Sequence, residues 1–275
     1  MIVPYWNVAF EIVVDGGADL LSGTPEDVLK VPINVFIGEE EYTYPGTISK
    51  EDVLSYIREM KPGKVKTSQP SPKQIMSAVE GMEGDVLYIT LSSRLSGLYN
   101  AALIASNLMK KKGVNLHVFD SLSVSAGIGI LVREALRLRD EGKTIEEVIP
   151  ALEALRSRIR IYFAVPTLDY LVAGGRLDPF KATLAKIVGI RPILTIREGR
   201  VDLENTVRKN KLWAEMAALA GSESVLMAYA PGGDDGKALE EHLNYRGIKV
   251  EEKVLLSPVI VVHAGPGAVS MLFVE

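Results

Sequence analysis

Three segments of the chain gather hydroxyl side chains, and each leads into a predicted helix. They are TSQPS (residues 67–71), SSRLSG (92–97) and DSLSVSAGIG (120–129). A helix N-terminus offers free N–H groups and the positive end of the helix dipole, which favour an anion, and hydroxyls add donors without adding charge. A single serine there would only cap its helix, but these loops hold more hydroxyls than capping requires. Together they predict a site for a carboxylate or a phosphate.

The elements around these segments indicate where they meet. Apolar runs at residues 10–15, 85–91 and 114–120 predict buried strands, and helical spacing follows the last two. Strands that alternate with helices predict a parallel sheet covered on both faces. Open sheets of this kind bind ligands beyond the carboxyl ends of their strands, where SSRLSG and DSLSVSAGIG would lie. Residues 61–72 are predicted to be a loop, ahead of a helix that a Ser-x-x-Gln capping box opens.

The second part of the chain mixes hairpins with helices. The segment RPILTIREGRVDLE is typical of a hairpin that turns at Glu198 and Gly199. The apolar segment PVIVVHAGPGAVSMLFV predicts further strands. We therefore predict an α/β fold with two domains, namely an N-terminal α/β domain with a parallel sheet over residues 1–158 and a C-terminal α+β domain over residues 159–275.

Three more side chains are candidates to face an anion. His263 is the first residue of the segment HAGPG, at the end of a predicted apolar strand and before the turn Gly265-Pro266-Gly267. A histidine there could donate to an anion in the cleft between the domains. Arg176 ends the GGR segment, and Arg208 lies in VRKNK. Taken singly, the histidine is equally explained by a strand end, and such arginines are usually surface residues.

The composition limits the partners of this chain. A formal net charge of −4 argues against nucleic acid, whose binding surfaces are usually strongly basic. The chain has no cysteine, which excludes disulfides, thiolate catalysis and zinc–thiolate sites, and P-loop and dinucleotide-binding motifs are missing. No apolar run reaches the ~18–20 residues that cross a bilayer, and the first residues lack secretory-signal features. We expect a cytoplasmic protein with no metal, no cofactor and no stable membrane insertion.

Several segments resemble the DegV family of bacterial fatty-acid-binding proteins. They are TSQPSP, LYITLSSRLSGLYNAA, VFDSLSVSAGIGILV, YLVAGGRL, RPILTI and HAGPGAV, in the family's order and spacing, and the resemblance runs from about residue 10 to 273. It implies a DegV-like two-domain fold with a palmitate- or oleate-like fatty acid between the domains, held by hydroxyls at its carboxylate and by an apolar tunnel at its tail. It also implies a carrier rather than an enzyme. Some members present the carboxylate to a separate kinase, which makes an acyl phosphate for phospholipid synthesis.

The resemblance further implies which residues form the site. Thr67 and Ser93 would hold the carboxylate. Arg176, Arg208 and His263 would face the head group and the surface where a kinase docks. The surrounding pocket would be formed by Ser68, Ser92, Ser96, Gly97, Asp120 and Ser121.

This sequence departs from the family pattern in two places. Members usually have Asp-Ser-Thr-x-Asp after the first strand, whereas this chain reads VDGGADL and has Gly16 and Gly17 instead of the two hydroxyl residues. Asp15 and Asp19 remain. Leu98 stands where the family usually has a threonine. We expect the first change to remove a polar contribution near the head group.

Two other functions remain open from the residues alone. A hydrolase would use Ser93 as nucleophile, His263 as base and Asp120 as the acid that orients the histidine, although Ser93 is not in a Gly-x-Ser-x-Gly elbow. A protein that binds a phosphorylated metabolite would use the same anion site. That protein would have a polar cavity, whereas a lipid carrier would have a long apolar one.

Overall fold

The structure is a computed structural model, which describes residues 10–110, 113–178 and 189–275. In chain order, the first elements are β1 (Glu11–Asp15), β2 (Leu29–Val31), β3 (Ile33–Ile37), β4 (Glu40–Tyr44), α1 (Lys50–Glu59), β5 (Val65–Ser68), α2 (Pro72–Ala78), β6 (Gly84–Thr90), α3 (Leu98–Met109), β7 (Val114–Asp120), α4 (Ala126–Asp140) and α5 (Ile145–Arg158). The later elements are β8 (Ile159–Ala164), α6 (Asp169–Ala173), β9 (Ile190–Arg197), β10 (Arg200–Arg208), α7 (Leu212–Ala218), β11 (Ser224–Tyr229), α8 (Lys237–Tyr245), β12 (Lys249–Leu255), α9 (Pro258–Ala264) and β13 (Val269–Val274).

The predicted parallel sheet is present in the first part of the chain, with the strand order β2-β1-β6-β7. Alternate residues of β6 enter two apolar layers. Val86 and Tyr88 pack with α2 and α3, whereas Leu87 and Ile89 pack with α4 and α5. Because both faces are covered, the strand appears in the sequence as an unbroken apolar run. The carboxyl ends of β6 and β7 bring two of the hydroxyl-rich loops to one edge of the sheet.

The prediction that residues 61–72 form a loop is wrong, because β5 belongs to a small antiparallel sheet ordered β4-β3-β5. Its pairing with β3 aligns Thr67 with Val35. Within β5 only Val65 is buried, so the sequence contains no apolar run of strand length. The strand forms because β3 offers a partner, which is tertiary context that a local pattern does not contain.

The second part of the chain builds a six-stranded mixed sheet ordered β10-β9-β8-β13-β11-β12. One face, which includes Met227, packs on α7 and α8. The other face, which includes Ile161 and Leu272, belongs to the same apolar cluster as α4 and α5. The predicted hairpin of β9 and β10 is confirmed, and Glu198 and Gly199 turn it with φ values of 49° and 78°.

The segment that carries His263 is a helix, so the prediction of a strand there is wrong. Ser257 caps α9 by accepting a hydrogen bond from the Val259 amide, and Pro258 occupies the first turn. Most of α9 is buried, which gives the segment an apolar run without helical periodicity. His263 lies in the last turn. α9 packs on α1 and on β5, so this C-terminal helix contacts the N-terminal part directly.

The predicted domain boundary near residue 158 falls at the junction of α5 and β8, and the division into two domains stays a prediction. Among the residues that the structure describes, no helix combines the length and apolarity needed to cross a membrane.

Candidate functional site

A cavity lies where the N-terminal elements meet the inner face of the six-stranded sheet. Its wall is mainly aliphatic and includes Ile33, Leu91, Leu95, Ile161, Phe163, Ile196, Leu256, Ile260 and Leu272. The volume of the cavity is about 110 Å³. A wall of this composition suits an apolar chain, because burying each methylene contributes about 0.8 kcal/mol.

The polar residues of the cavity include five that were predicted from the sequence: Thr67, Ser68, Ser96, Arg176 and His263. A hydrogen bond of 2.7 Å between Thr67 Oγ1 and His263 Nε2 joins the two parts of the chain inside the cavity. The pairing of β5 with β3 sets the position of Thr67, and α9 sets that of His263. Neither the strand β5 nor the helix α9 was predicted from the sequence, although Thr67 and His263 were both predicted as site residues.

His263 is neutral in this site. Burial lowers its pKa to about 3, and the positive charge of Arg176 acts in the same direction. Its Nδ1 atom is buried without a hydrogen-bond partner among the described residues. A Cβ atom on Gly174 would lie 2.5 Å from Nδ1, so only glycine leaves room for the ring. When Nε2 carries the proton and donates to Thr67, the Thr67 hydroxyl is free to donate to a ligand.

Arg176 gives the cavity a positive charge. Its Nε donates to the Leu95 carbonyl at 3.1 Å, and its guanidinium also donates to the Gly174 carbonyl. Burial lowers its pKa. Within the described ranges no carboxylate pairs with Arg176, and no acidic residue lines the cavity. A bound anion would therefore compensate a partly buried charge.

In the loops next to Ser96, the Ser92 hydroxyl and the Asp120 carboxylate make hydrogen bonds that stabilise the fold. Ser92 is buried, and its hydroxyl donates to the Gly199 carbonyl at 2.7 Å. The Ser93 amide donates to Asp120 Oδ1 at 3.0 Å, and the same oxygen accepts from the Leu122 amide at 3.1 Å. None of these residues is part of the cavity wall.

The Ser93 hydroxyl makes no hydrogen bond within the described part of the chain, and its contact with a carboxylate stays a prediction. Ser121 is also outside the cavity wall, with its hydroxyl accepting from the Ser123 amide at 3.0 Å. Gly97 supports the wall indirectly, because a Cβ there would lie 3.0 Å from Nε2 of Gln69, which lines the cavity.

Arg208 is not brought to the cavity. It is exposed at the end of β10, whereas Val201, which lines the cavity, lies near the other end of that strand, about 24 Å away at roughly 3.4 Å per residue. Its contact with a partner stays a prediction.

The arrangement does not form a hydrolase triad. Nε2 of His263 is bonded to Thr67 rather than to Ser93, and the Asp120 carboxylate is used by backbone amides. Among the described residues, no group of three His, Asp or Glu side chains is placed to hold a metal ion.

Three polar cavity residues, Gln69, Ser125 and Ser270, were not singled out from the sequence. Gln69 lies in TSQPS and Ser125 in DSLSVSAGIG, and both line the cavity. The hydroxyl-rich pattern pointed to the right loops, but a pattern alone does not tell which side chain of a loop turns inward.

The two departures from the family pattern are explained by packing. A Cβ atom on Gly16 would lie 2.3 Å from the Tyr44 carbonyl oxygen, so the main chain of Tyr44 fills the place of a side chain there. Leu98 is fully buried in the apolar layer between the parallel sheet and α3. Neither position belongs to the cavity wall.

Comparison with known proteins identifies similar chains. The model of a family described as "Uncharacterised protein, DegV family" matches residues 9–275. A DegV domain-containing protein of Staphylococcus aureus (strain COL) is 30% identical, over 96% of this chain and 98% of its own.

Two solved structures are similar along nearly their whole length. A DegV family protein from Thermus thermophilus, described by its fatty acid binding, is 29% identical with a TM-score of 0.81, and the match covers 97% of this chain and 99% of that one. A stearic acid-binding protein from Eubacterium ventriosum is 25% identical with a TM-score of 0.84, over 97% of this chain and 98% of that one.

Proposed function

Since the chain belongs to the DegV family, we propose that it binds one long-chain fatty acid in the cavity and carries out no chemistry on it. The observation that carries the proposal is an aliphatic cavity whose polar end has one cation, Arg176, beside the neutral pair of Thr67 and His263, with no acidic residue among its described lining. A fatty acid has the matching chemistry, a single negative charge on a long apolar tail. The fatty acid and stearic acid of the two solved relatives are of this class.

The energetics divide between tail and head. For a palmitate- or oleate-like ligand, burying about fourteen methylenes at ~0.8 kcal/mol each gives roughly 11 kcal/mol, part of which association and ordering offset. An ionised carboxylate buried without donors would cost several kcal/mol. The proposed donors are the hydroxyls of Thr67 and Ser93, with the Arg176 charge nearby. The tail then provides most of the affinity, and the donors make burial of the head group tolerable.

We further propose that the protein presents the carboxylate to a separate fatty acid kinase in the cytoplasm. Support comes from the position of Gln69, which is exposed and lines both the cavity and a second cleft on the surface. The polar end of the cavity is thus the end next to solvent. Arg176 would face both the carboxylate and the kinase, and Arg208 would contact the kinase away from the cavity.

Mass spectrometry of the organic extract of the purified protein tests the binding proposal. We expect stoichiometric fatty acid, and Ser93→Ala should weaken rebinding by about 1–3 kcal/mol if its hydroxyl donates to the carboxylate. Extracts without lipid, followed by no uptake of added palmitate or oleate, would contradict the proposal. A phosphorylated metabolite in the aqueous phase of the same extraction would favour the second anion-binding function.

A further inference from the structure

One buried carboxylate outside the cavity joins two helices that form the cavity wall. Asp19 is 6% exposed. Its Oδ2 accepts a hydrogen bond from the Ser125 hydroxyl at 2.5 Å, and its Oδ1 accepts one from the Ser257 amide at 2.7 Å. Ser125 immediately precedes α4, and Ser257 immediately precedes α9. A single side chain therefore holds the starts of both helices.

On the α9 side, the anchor reaches the head-group histidine through a short helix. The Ser257 hydroxyl also donates to the Gly16 carbonyl at 2.7 Å. The amide and the hydroxyl of this cap residue therefore both donate to the loop after β1. His263 follows six residues later, which is about 9 Å along a helix. Ile260 and Ala264 of the same helix line the cavity. The position of the helix start thus sets the position of the ring that contacts Thr67.

On the α4 side, Asp19 fixes a residue with unusual backbone geometry. Ser125 has φ 58° and ψ −134°, a conformation that is uncommon for a residue other than glycine and persists only where its surroundings hold it. Ser125 itself lines the cavity. A Cβ atom on Gly129 would lie 2.4 Å from the Asp19 carbonyl oxygen, so α4 packs directly on this loop.

From these contacts we propose that Asp19 is a positioning residue for ligand binding. It does not touch the fatty acid. It holds α9, and through α9 His263, at the distance from Thr67 that the head-group site requires. The inference rests on the proposed function, because the residue positioned is part of the proposed fatty acid site.

A double-mutant cycle on palmitate binding separates positioning from general stability. The variants are Asp19→Asn, His263→Gln and the double variant, with Ser106→Ala as matched control. Ser106 is buried in the same part of the chain and donates to the Leu116 carbonyl at 2.6 Å, but it is not part of the cavity wall. Asp19 and His263 share no hydrogen-bond partner among the described residues, so without the proposed coupling their substitutions would be expected to act independently.

We expect Asp19→Asn to weaken palmitate binding about tenfold, and the double variant to bind no worse than the weaker single variant. Ser106→Ala should bind within about twofold of the wild type. Should Asp19→Asn not fold, Ser257→Ala loosens the start of α9 at its other bond to the loop after β1, the bond from the Ser257 hydroxyl to the Gly16 carbonyl, with the same expected dependence on His263.

Two results would overturn the inference. The inference is overturned if Asp19→Asn binds palmitate like the wild type. It is also overturned if the losses of palmitate affinity in the two single variants multiply in the double variant. Either result leaves the proposed function intact. Wild-type protein that takes up no palmitate would overturn the proposed function, and this inference with it.

Discussion

Lowering the pH from 7.5 to 5.0 should destabilise the lipid-free protein through His263. The folded pKa of about 3 lies below the usual value of 6.5, so the unfolded chain takes up a proton below pH 6.5 whereas the folded chain does so only near pH 3. The stability that the neutral ring contributes is therefore present above pH 6.5 and is lost as the pH falls toward 3. At pH 5.0 the 1.5 units below 6.5 correspond to a loss of about 2 kcal/mol.

The assay is urea unfolding of the wild type and of His263→Gln at both pH values, since glutamine has no proton to bind. Other titrating groups are common to both proteins, so their effects cancel in the difference. We expect the wild type to lose about 2 kcal/mol relative to the variant between pH 7.5 and 5.0. An unchanged difference would refute the reasoning that burial keeps this ring neutral.

Three further predictions follow from other sites. Burial raises the pKa of Asp15 to about 6 from 3.8, so its contribution to stability is present below pH 3.8 and lost as the pH rises through 6. In urea unfolding, the wild type should therefore gain about 1.4 kcal/mol relative to Asp15→Asn between pH 7.5 and 5.0, and a shift of the opposite sign would contradict this. Thr67→Ala should weaken palmitate binding by about 1–3 kcal/mol in calorimetry, and unchanged affinity would exclude Thr67 from the head-group site. Gly199→Ala should lower the melting temperature more than Gly247→Ala, because both have positive φ but only the Cβ at 199 would meet a neighbour, Ser92 Oγ at 2.4 Å; equal losses would argue against that contact.

The sequence predicted the elements whose signals are local. The capping box of Ser71 and Gln74 is confirmed, as is the hairpin turn at Glu198 and Gly199. Three of the four strands of the parallel sheet, β1, β6 and β7, were also predicted, because strands buried on both faces appear as unbroken apolar runs; the three-residue strand β2 was not.

The elements that were missed depend on distant partners. β5 has four residues and is a strand because β3 lies beside it. α9 is apolar around most of its surface because it is buried between the two parts of the chain, so it shows no helical periodicity. Its local signal was the pair Ser257 and Pro258, which is typical of a helix start.

The sequence predicted the loops that line the cavity, but only some of the side chains that turn into it. Ser92 and Ser96 lie in one motif, yet Ser92 bonds to Gly199 and Ser96 lines the cavity. Ser92 turns away from the cavity because its hydrogen-bond partner, Gly199, lies in the β9–β10 turn. That turn is more than 100 residues further along the chain, so the local spacing of the serines does not indicate the contact.

The apolar cluster that joins α4 and α5 to the inner face of the six-stranded sheet has a consequence for engineering. Neither part of the chain can be moved as an independent unit, because separating them at residue 158 would open the cavity and expose apolar residues of its wall, including Leu91, Leu95, Ile161 and Leu272. Such apolar surfaces promote aggregation when uncovered. Chimeras with relatives should therefore exchange loops or cavity residues rather than whole halves.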